Sequence, residues 1–386
     1  MRYVHRTLEP TIRKFLKHFS SVGLTGPRQS GKSTLLRELL VDNYRYVTFD
    51  DHDNVRGFHD DPKRFMRRYD DRVIFDEIQR VPELFNYVKI SIDQDRQRRG
   101  KFVLTGSSQF ALMRNVTESL AGRMGLLTLL PFEFREIPKK LREDSIFRGG
   151  YPELTLQSYD DFRNWYSAYV DTYLLRDVRD LSNIGELRDF RRCLQLLATR
   201  TAQLLNMSDI ARDLGVAVNT VKRWISILEA SYIIFLLPPF YRNFGKRITK
   251  APKIYFHDTG LVSFLTGIKD ASDFEHGPMY GSLFENYVVS EIMKRETHRK
   301  ADSELFYYRS SSGLEVDLII DRKSVREYIE IKTSETYRTE MTRAIEQIKK
   351  EREQGFLIYR GKGEVSTPDL TIINYADYLR RAWKST

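Results

Sequence analysis

The chain has a single cysteine, Cys193, among 386 residues. One thiol cannot form an intramolecular disulfide, and it cannot supply the paired cysteines of a structural zinc site. Histidine is also scarce, and His257 and His276 have no cysteine near them in the sequence. These shortages exclude a disulfide-stapled scaffold, argue against a Cys/His zinc site, and fit a reducing compartment.

Long apolar runs are missing as well. The longest, Tyr232 to Leu237, is far shorter than the roughly 20 residues that cross a bilayer, and the mean hydropathy is −0.48. The segment from Met1 to Phe19 is basic but has no apolar core, so it lacks the pattern of a secretory signal. We therefore expect a cytoplasmic protein with no membrane partner.

Basic residues are in excess, with 63 Lys and Arg against 53 Asp and Glu, a formal charge of +10. An excess of this size favours a polyanionic partner such as nucleic acid. The length of 386 residues is enough for two or three domains, each with its own core.

One stretch fits the phosphate-binding pattern G-x-x-x-x-G-K-[ST], between an apolar strand (Ser21 to Thr25) and a helix. Its glycines let successive N–H groups face one anion, Lys32 would reach the β- and γ-phosphates of ATP, and Ser33 would hold Mg²⁺. The predicted nucleotide-binding residues are Gly26, Pro27, Arg28, Gln29, Ser30, Gly31, Lys32, Ser33 and Thr34.

A second apolar strand, from Val73, ends in two carboxylates. Asp76 would hold Mg²⁺ and Glu77 would orient the attacking water, the parts that a phosphate loop needs for hydrolysis. After the strand Lys101 to Leu104, Thr105 or Ser107 would bond the γ-phosphate. Arg123 is either an arginine finger or an ordinary surface charge.

Together these segments resemble the AAA-type ATPases. The runs around Phe49, Asp76, Leu120 to Arg123 and Phe132 also resemble the bacterial and archaeal ATPases that carry a domain of unknown function behind the ATPase. The turn Arg148 to Glu153 is typical of that group too, and we interpret it as a hinge before a long helix, Asp161 to Leu181.

Helix-turn-helix spacing follows. A first helix with Ser208 as its N-cap, a turn at Gly215 and a second helix from Asn219 to Glu229 predict a winged helix with strands Tyr232 to Leu237 and Lys253 to Phe256. The residues predicted to face DNA are Asn219, Thr220, Lys222 and Arg223, and the wing loop adds Arg242, Lys246, Arg247 and Lys250. The alternative is a winged helix that packs against protein.

From Gly281 the predicted order is α-β-β-β-α-β, which looks like a restriction-endonuclease core. Alternation places Glu330 and Lys332 on one face of a strand, beside Asp317 on its neighbour. Asp317 and Glu330 would bind Mg²⁺, Lys332 would activate water, and Glu285 is a further candidate ligand. The alternative is an exposed strand with an ordinary Glu-Lys pair.

The sequence thus predicts an α/β protein with four parts: a P-loop ATPase domain (1–135), a linker or helical lid (136–186), a winged helix-turn-helix (187–270) and a restriction-endonuclease-like domain (271–386). We expect ATP and Mg²⁺ as cofactors, ATP hydrolysis, and DNA binding or processing with nuclease activity left open. The alternatives are a nucleotide-switched binder with an inactive nuclease-like domain and a regulator whose winged helix contacts a protein partner. The oligomeric state stays open.

Overall fold

The computed structural model describes residues 3–106, 120–174, 187–241, 251–323, 325–350 and 353–381. The chain forms two units. The N-terminal unit is Met1–Phe132 with Ala230–Tyr232 and Thr297–Lys300; the C-terminal unit is Glu133–Glu229, Ile233–Glu296 and Ala301–Thr386. Ser107 and the wing-loop residues Arg242, Lys246, Arg247 and Lys250 lie outside the described residues.

Alternating strands and helices build the N-terminal unit. Its elements are α1 (Glu9–His18), β1 (Ser21–Thr25), α2 (Lys32–Leu40), β2 (Arg45–Thr48), α3 (His52–Asp60), α4 (Pro62–Arg68), β3 (Val73–Asp76), α5 (Leu84–Gln94), β4 (Phe102–Thr105) and β5 (Met124–Thr128). The sheet order is β2-β3-β4-β1-β5, and every pair is parallel. Strands β1, β3 and β4 are buried along their whole length, as central parallel strands covered on both faces must be.

Parallel pairing has a direct consequence for function. Because all five strands run the same way, their carboxyl ends meet at one edge of the sheet. The loop after β1, Asp76 at the end of β3 and Thr105 at the end of β4 therefore share that edge.

Helices dominate the first part of the C-terminal unit. They are α6 (Ser145–Arg148), α7 (Pro152–Leu156), α8 (Phe162–Ala168), α9 (Leu187–Thr199), α10 (Met207–Leu214) and α11 (Val218–Ala230), followed by the antiparallel pair β6 (Ile234–Leu237) and β7 (Lys253–Phe256). Within the expected long helix, Asp161 to Leu181, helix α8 is followed directly by a π-helix, Tyr169–Leu174, and the end of the expected helix lies outside the described residues. The expected N-cap Ser208 is also wrong: Asn206 caps α10, and its side chain accepts from the N–H groups of Ser208 and Asp209.

A six-stranded mixed sheet follows helices α12 (Thr259–Thr266), α13 (Ala271–His276) and α14 (Tyr280–Arg299). Its elements are β8 (Glu304–Arg309), β9 (Glu315–Asp321), β10 (Arg326–Lys332), α15 (Arg343–Ile348), β11 (Gln354–Tyr359), β12 (Glu364–Ser366), β13 (Leu370–Asn374) and the last helix α16 (Tyr375–Arg380). Strands β8, β9 and β10 pair antiparallel, whereas β11 pairs parallel to β10. The order α14-β8-β9-β10-α15-β11 matches the α-β-β-β-α-β order expected from the sequence. No helix within the described ranges is both long and apolar enough to cross a bilayer.

A buried carboxylate fixes the turn that we interpreted as a hinge. Asp258, 3% exposed, accepts from the N–H groups of Gly150 (2.7 Å) and Leu261 (3.1 Å) and from the hydroxyl of Tyr166. Gly149 has a φ of +79°, and a Cβ there would meet the Asp258 carboxylate at 2.4 Å. Because Gly149 has no Cβ, the backbone of the turn approaches the Asp258 carboxylate closely, and the N–H of Gly150 bonds to it. These contacts hold the turn in place.

We predict that Gly149→Ala destabilises the protein by about 2–5 kcal/mol, because it adds left-handed backbone strain and a clash with Asp258. Gly215→Ala is the matched control, since Gly215 is also left-handed (φ +72°) but has no neighbour within 4 Å of the added Cβ. Only the strain of about 1–2 kcal/mol is expected there. Equal losses in urea unfolding would contradict the role of Asp258.

Candidate functional site

The loop between β1 and α2 has the backbone shape of an anion cradle. Gly26 (φ +140°), Gln29 (φ +61°) and Gly31 (φ +92°) all have positive φ, so the chain curls tightly before α2 begins at Lys32. A Cβ at Gly26 would lie 2.0 Å from the carbonyl oxygen of Leu129, so only glycine fits there. Curled backbone at a helix N-terminus directs N–H groups and a positive dipole end toward an anion.

Lys32 lies inside this curl. Its side chain is buried, and Nζ donates to the carbonyl oxygens of Gly26 (3.0 Å) and Pro27 (2.9 Å). A buried ammonium needs acceptors around it, and the loop supplies them. The charge is thus held where a phosphate on the loop would meet it.

Asp76 connects the loop to the next site residues. Its carboxylate accepts from the Ser33 hydroxyl at 2.9 Å and from the Tyr46 hydroxyl. The pairing of a serine hydroxyl with a carboxylate supplies the hard oxygen ligands that Mg²⁺ prefers. The two predicted metal ligands of the nucleotide site, Ser33 and Asp76, are therefore in contact.

Glu77 follows directly, with its backbone N–H bonded to Asp76 Oδ1 at 3.1 Å. Its backbone is left-handed (φ +55°), a conformation that is uncommon for a non-glycine residue. Its carboxylate accepts from the side-chain amide of Gln79. Burial, and then the charge of Asp76, raise the pKa of Glu77, which suits a group that handles the proton of a water.

Two buried hydroxyls at this edge have no hydrogen-bond partner among the described residues: Thr105 Oγ1 and Ser30 Oγ. Thr105 ends β4, whose register places it beside Leu24 of β1. An unpaired buried hydroxyl is costly unless a ligand completes it. These hydroxyls and the glycine cradle fit a bound nucleotide phosphate, whereas Ser107, the other candidate, is not described.

Arg123 is a different matter. It immediately precedes β5, so in a parallel sheet it lies at the amino edge, opposite the loop; Met124 pairs with Ser21, the first residue of β1. Its guanidinium binds both carboxylate oxygens of Asp93, at 2.9 and 3.1 Å. The interpretation of Arg123 as a finger on a phosphate bound by its own chain is contradicted by strand direction.

Sequence reasoning missed three residues that support the loop. Arg6 donates to the carbonyl oxygens of Ser30 (2.8 Å) and Leu130 (2.7 Å), while Tyr46 and Gln79 hold the two carboxylates. No spacing rule points to Arg6, which lies far from the loop in the chain. Tyr46 had a signal, since β2 lies next to β3.

In the C-terminal unit, helix α11 has the two faces expected of it. Val221, Trp224, Ile225, Ile227 and Leu228 are buried. Asn219, Lys222 and Arg223 are exposed and Thr220 is partly exposed. The structure thus brings the four predicted DNA-facing residues to one solvent-accessible face.

The predicted acidic site also comes together on β9, β10 and α14. Asp317 Oδ2 accepts from the N–H of Ile331 (2.9 Å), and Lys332 Nζ bonds Glu330 Oε1 at 2.5 Å. Glu330 is 8% exposed, and its buried Oε2 has no hydrogen-bond partner in the part of the chain that the structure describes. Burial, and then the charge of Asp317, raise the pKa of Glu330 and of Glu285.

Sequence reasoning missed the residue at the centre of this cluster. Lys253 on β7 bonds Glu285 at 3.1 Å and Glu315 at 2.6 Å. Glu315 had a signal, because it precedes Asp317 by two positions on the same strand face. No group of three or more His, Cys, Asp or Glu in the described part of the chain is arranged as ready-made metal ligands.

Comparisons with known families agree with the first half of this picture. Residues 18–138 match a family described as an AAA domain. Residues 139–272 match a domain of unknown function (DUF8612), and residues 280–378 match another (DUF4143). The resemblance to AAA-type ATPases that carry a domain of unknown function is thereby confirmed, while a winged-helix or nuclease fold is named by none of these matches.

Two relatives match over most of the chain. The uncharacterized protein Rv2008c of Mycobacterium tuberculosis is 32% identical over 327 residues, 84% of this chain and 73% of its own length. The uncharacterized protein MJ1544 of Methanocaldococcus jannaschii is 22% identical over 329 residues, 76% of this chain and 70% of its own.

Among solved structures, the Walker-type ATPase PABY2304 of Pyrococcus abyssi is 17% identical, with a TM-score of 0.43. The match covers 67% of this chain and 94% of the PABY2304 chain. Similarity at this level says nothing about what this chain binds.

We predict different defects from two substitutions at the loop. Lys32→Ala weakens ATP binding roughly 10- to 100-fold, because it removes a charged phosphate contact of about 1.5–3 kcal/mol. Glu77→Gln keeps the affinity for ATP but slows hydrolysis by about 10²- to 10⁴-fold, since only the water-orienting group is lost. Nucleotide titration and phosphate release measure the two effects, and unchanged turnover in Glu77→Gln would refute the role of that carboxylate.

Proposed function

Since this chain belongs to the family of Rv2008c and contains an AAA-type ATPase domain, we propose that it binds and hydrolyses ATP with Mg²⁺ and uses that cycle to bind or process DNA. The observation that carries the ATPase part is the contact of Ser33 with Asp76 beside the buried Lys32. The lysine that would bind phosphate, the residues that would hold the metal and the carboxylate that would orient water thus lie at one edge of the sheet.

The residues divide the work as follows. Lys32 exchanges its loop carbonyls for phosphate oxygens and neutralises their charge, while the loop N–H groups orient the phosphate chain. Ser33 and Asp76 would hold Mg²⁺, which would supply positive charge to offset that of the phosphates. Glu77 orients the attacking water and accepts its proton, with Gln79 holding the carboxylate in place. Thr105 donates from β4 toward the γ-phosphate.

Helix α11 supports the DNA part of the proposal. Helices α9, α10 and α11, followed by the paired strands β6 and β7, support the proposal of a winged helix, in which the last helix enters the major groove. Lys222 and Arg223 would neutralise phosphates, and Asn219 and Thr220 would reach base edges. The ammonium and guanidinium groups are exposed, as phosphate contacts require.

We predict that Lys222→Ala combined with Arg223→Ala weakens duplex binding and lowers the slope of log affinity against log salt by about 2 in magnitude. Arg67→Ala combined with Arg68→Ala is the matched control, because it removes the same charge from an exposed, adjacent pair on α4. Fluorescence anisotropy at several salt concentrations measures both. Equal behaviour of the two double variants would favour a winged helix that contacts protein.

A specific observation favours a second activity. The order α14-β8-β9-β10-α15-β11, with Asp317 next to Glu330 and Lys332, supports the proposal of a restriction-endonuclease-like core. Among the described residues, the buried Oε2 of Glu330 has no hydrogen-bond partner, which fits a cation ligand. We therefore propose Mg²⁺-dependent DNA cleavage at this site, with Lys332 positioned to activate a water; the alternative is a nucleotide-switched binder in which the site only holds a cation.

We predict that Asp317→Ala abolishes Mg²⁺-dependent nicking of DNA, because one of the two central carboxylates is gone. Asp321→Ala is the control: it lies on the same strand but pairs with Arg326 at 2.8 Å, outside the cluster. Plasmid, branched and single-stranded substrates should all be tested, with ATP hydrolysis measured in parallel. Cleavage that survives in Asp317→Ala would exclude this site as its source.

The four-part division at residues 135, 186 and 270 belongs to this proposal, as does a cytoplasmic location. A protein partner for the winged helix is the third candidate function. It is favoured only if the Lys222 and Arg223 double variant leaves DNA binding unchanged.

A further inference from the structure

Lys253 lies among the carboxylates of the acidic site, although it belongs to neither helix α14 nor the six-stranded sheet. Lys253, on β7, is 3% exposed. Its Nζ lies 2.6 Å from Glu315 Oε1, 3.1 Å from Glu285 Oε1 and 3.8 Å from Asp317 Oδ1. One buried ammonium thus contacts three carboxylates, one from α14 and two from β9.

The hairpin that carries Lys253 is anchored to the edge of the sheet. Beyond β6, Pro238 and Phe240 form backbone hydrogen bonds with Tyr307 of β8, at 3.0 and 2.6 Å. The Tyr307 hydroxyl donates to the carbonyl oxygen of Ala251 at 2.6 Å, two residues before the lysine. Backbone bonds therefore set the position of Lys253, which is not a long side chain that reaches the cluster by chance.

A neighbour on the same strand reinforces this placement. The hydroxyl of Tyr255 donates to Glu285 Oε1 at 2.6 Å, the same oxygen that Lys253 contacts. Strand alternation puts both side chains on one face of β7, so the strand presents an ammonium and a hydroxyl to the same carboxylate. Strand β7 thus belongs to the acidic site as much as β9 and β10 do.

Charge decides what this arrangement does. Four carboxylates gather here (Glu285, Glu315, Asp317 and Glu330), and three cationic groups oppose them: Lys253, Lys332, which bonds Glu330, and Arg309, 3.6 Å from Glu315. With all seven groups ionised, the cluster keeps a formal charge of −1. Buried carboxylates that are not compensated repel one another and are costly, and a proton or a cation relieves that cost.

An ammonium and a divalent cation compete for the same oxygens. Mg²⁺ requires oxygen ligands at about 2.0–2.1 Å and nearly octahedral order. Lys253 already contacts one oxygen each of Glu285 and Glu315, whereas Glu330 Oε2 has no hydrogen-bond partner within the described ranges. A metal would therefore bind the carboxylates of Glu330 and Asp317, whereas Lys253 blocks the carboxylate of Glu285.

We propose that Lys253 is a built-in counter-ion of this site and that it limits how tightly a divalent cation binds, by holding Glu285 and Glu315 away from the metal. The proposal rests on the cation site of the proposed function. It assigns to the β6–β7 hairpin a control over the acidic site: a movement that withdrew Lys253 would release two carboxylates for metal binding.

The test is Mn²⁺ binding to the full chain, measured by titration calorimetry and by thermal melting. Lys253→Met keeps an unbranched side chain that is one atom shorter and removes its charge. We expect Mn²⁺ to bind this variant at least about tenfold tighter than the parent, since a positive charge next to the ion is gone. We also expect a lower melting temperature without metal, and a larger rise on adding Mn²⁺ than the parent shows.

Lys294→Met is the matched control. Lys294 is also a buried lysine, 2.6 Å from Glu291 on α14, but its partner lies outside the cluster. Its loss should lower the melting temperature without changing the affinity for Mn²⁺. This variant separates the loss of a buried ion pair from a specific effect on the metal.

The outcomes are distinct. Tighter Mn²⁺ binding in Lys253→Met supports the proposal, including the case in which the parent binds none. Parent-like or weaker binding in Lys253→Met, with binding intact in the parent, overturns the counter-ion role and leaves the cation site standing. Absence of Mn²⁺ binding in both overturns the cation site as well, and a metal-independent loss of stability then identifies the cluster as a structural ion network.

Discussion

The proposed nucleotide site depends on the shared direction of five parallel strands. Because β1, β3 and β4 run the same way, their carboxyl ends deliver the glycine loop, Asp76 and Thr105 to one edge. The contact between Ser33 and Asp76 joins two segments that are remote in sequence, and it exists only because this register brings them together. The same constraint places Arg123 at the wrong edge for a phosphate in its own chain.

Charge compensation plays the corresponding role in the C-terminal unit. Asp258 is buried but receives three hydrogen bonds, so a turn with two glycines closes upon it and becomes rigid. In the acidic cluster the compensation is incomplete, because Lys253, Lys332 and Arg309 oppose four carboxylates. The hydrogen bonds to Asp258 therefore fix a turn, whereas the excess negative charge of the acidic cluster favours a bound cation.

The sequence predicts those parts of the molecule whose determinants are local. The phosphate loop, the carboxylates after β3 and the alternation of Glu330 with Lys332 follow from spacing along a few residues. The buried face of α11 follows from helical periodicity for the same reason. Even here one helix boundary was misplaced, because Asn206 caps α10, two residues before the predicted Ser208.

What the sequence does not predict depends on contacts between distant segments. Nothing near Lys253 indicates that its hairpin pairs with β8 and directs an ammonium at α14 and β9. The short strands β12 and β13 and the helix α16 were also missed, because the exposed residues of β12 show no apolar pattern. Arg6 reaches the phosphate loop only through the tertiary fold.

We propose that the edge formed by β1, β3 and β4 is a nucleotide site completed by a divalent cation. Calorimetric titration of the full chain with a non-hydrolysable ATP analogue, with and without Mg²⁺, measures both parts of this proposal. We expect one nucleotide per chain, with an affinity that falls when Mg²⁺ is withheld because the phosphate charge is then less well compensated. Absence of binding under both conditions, or an affinity indifferent to Mg²⁺, would show that this edge is not such a site.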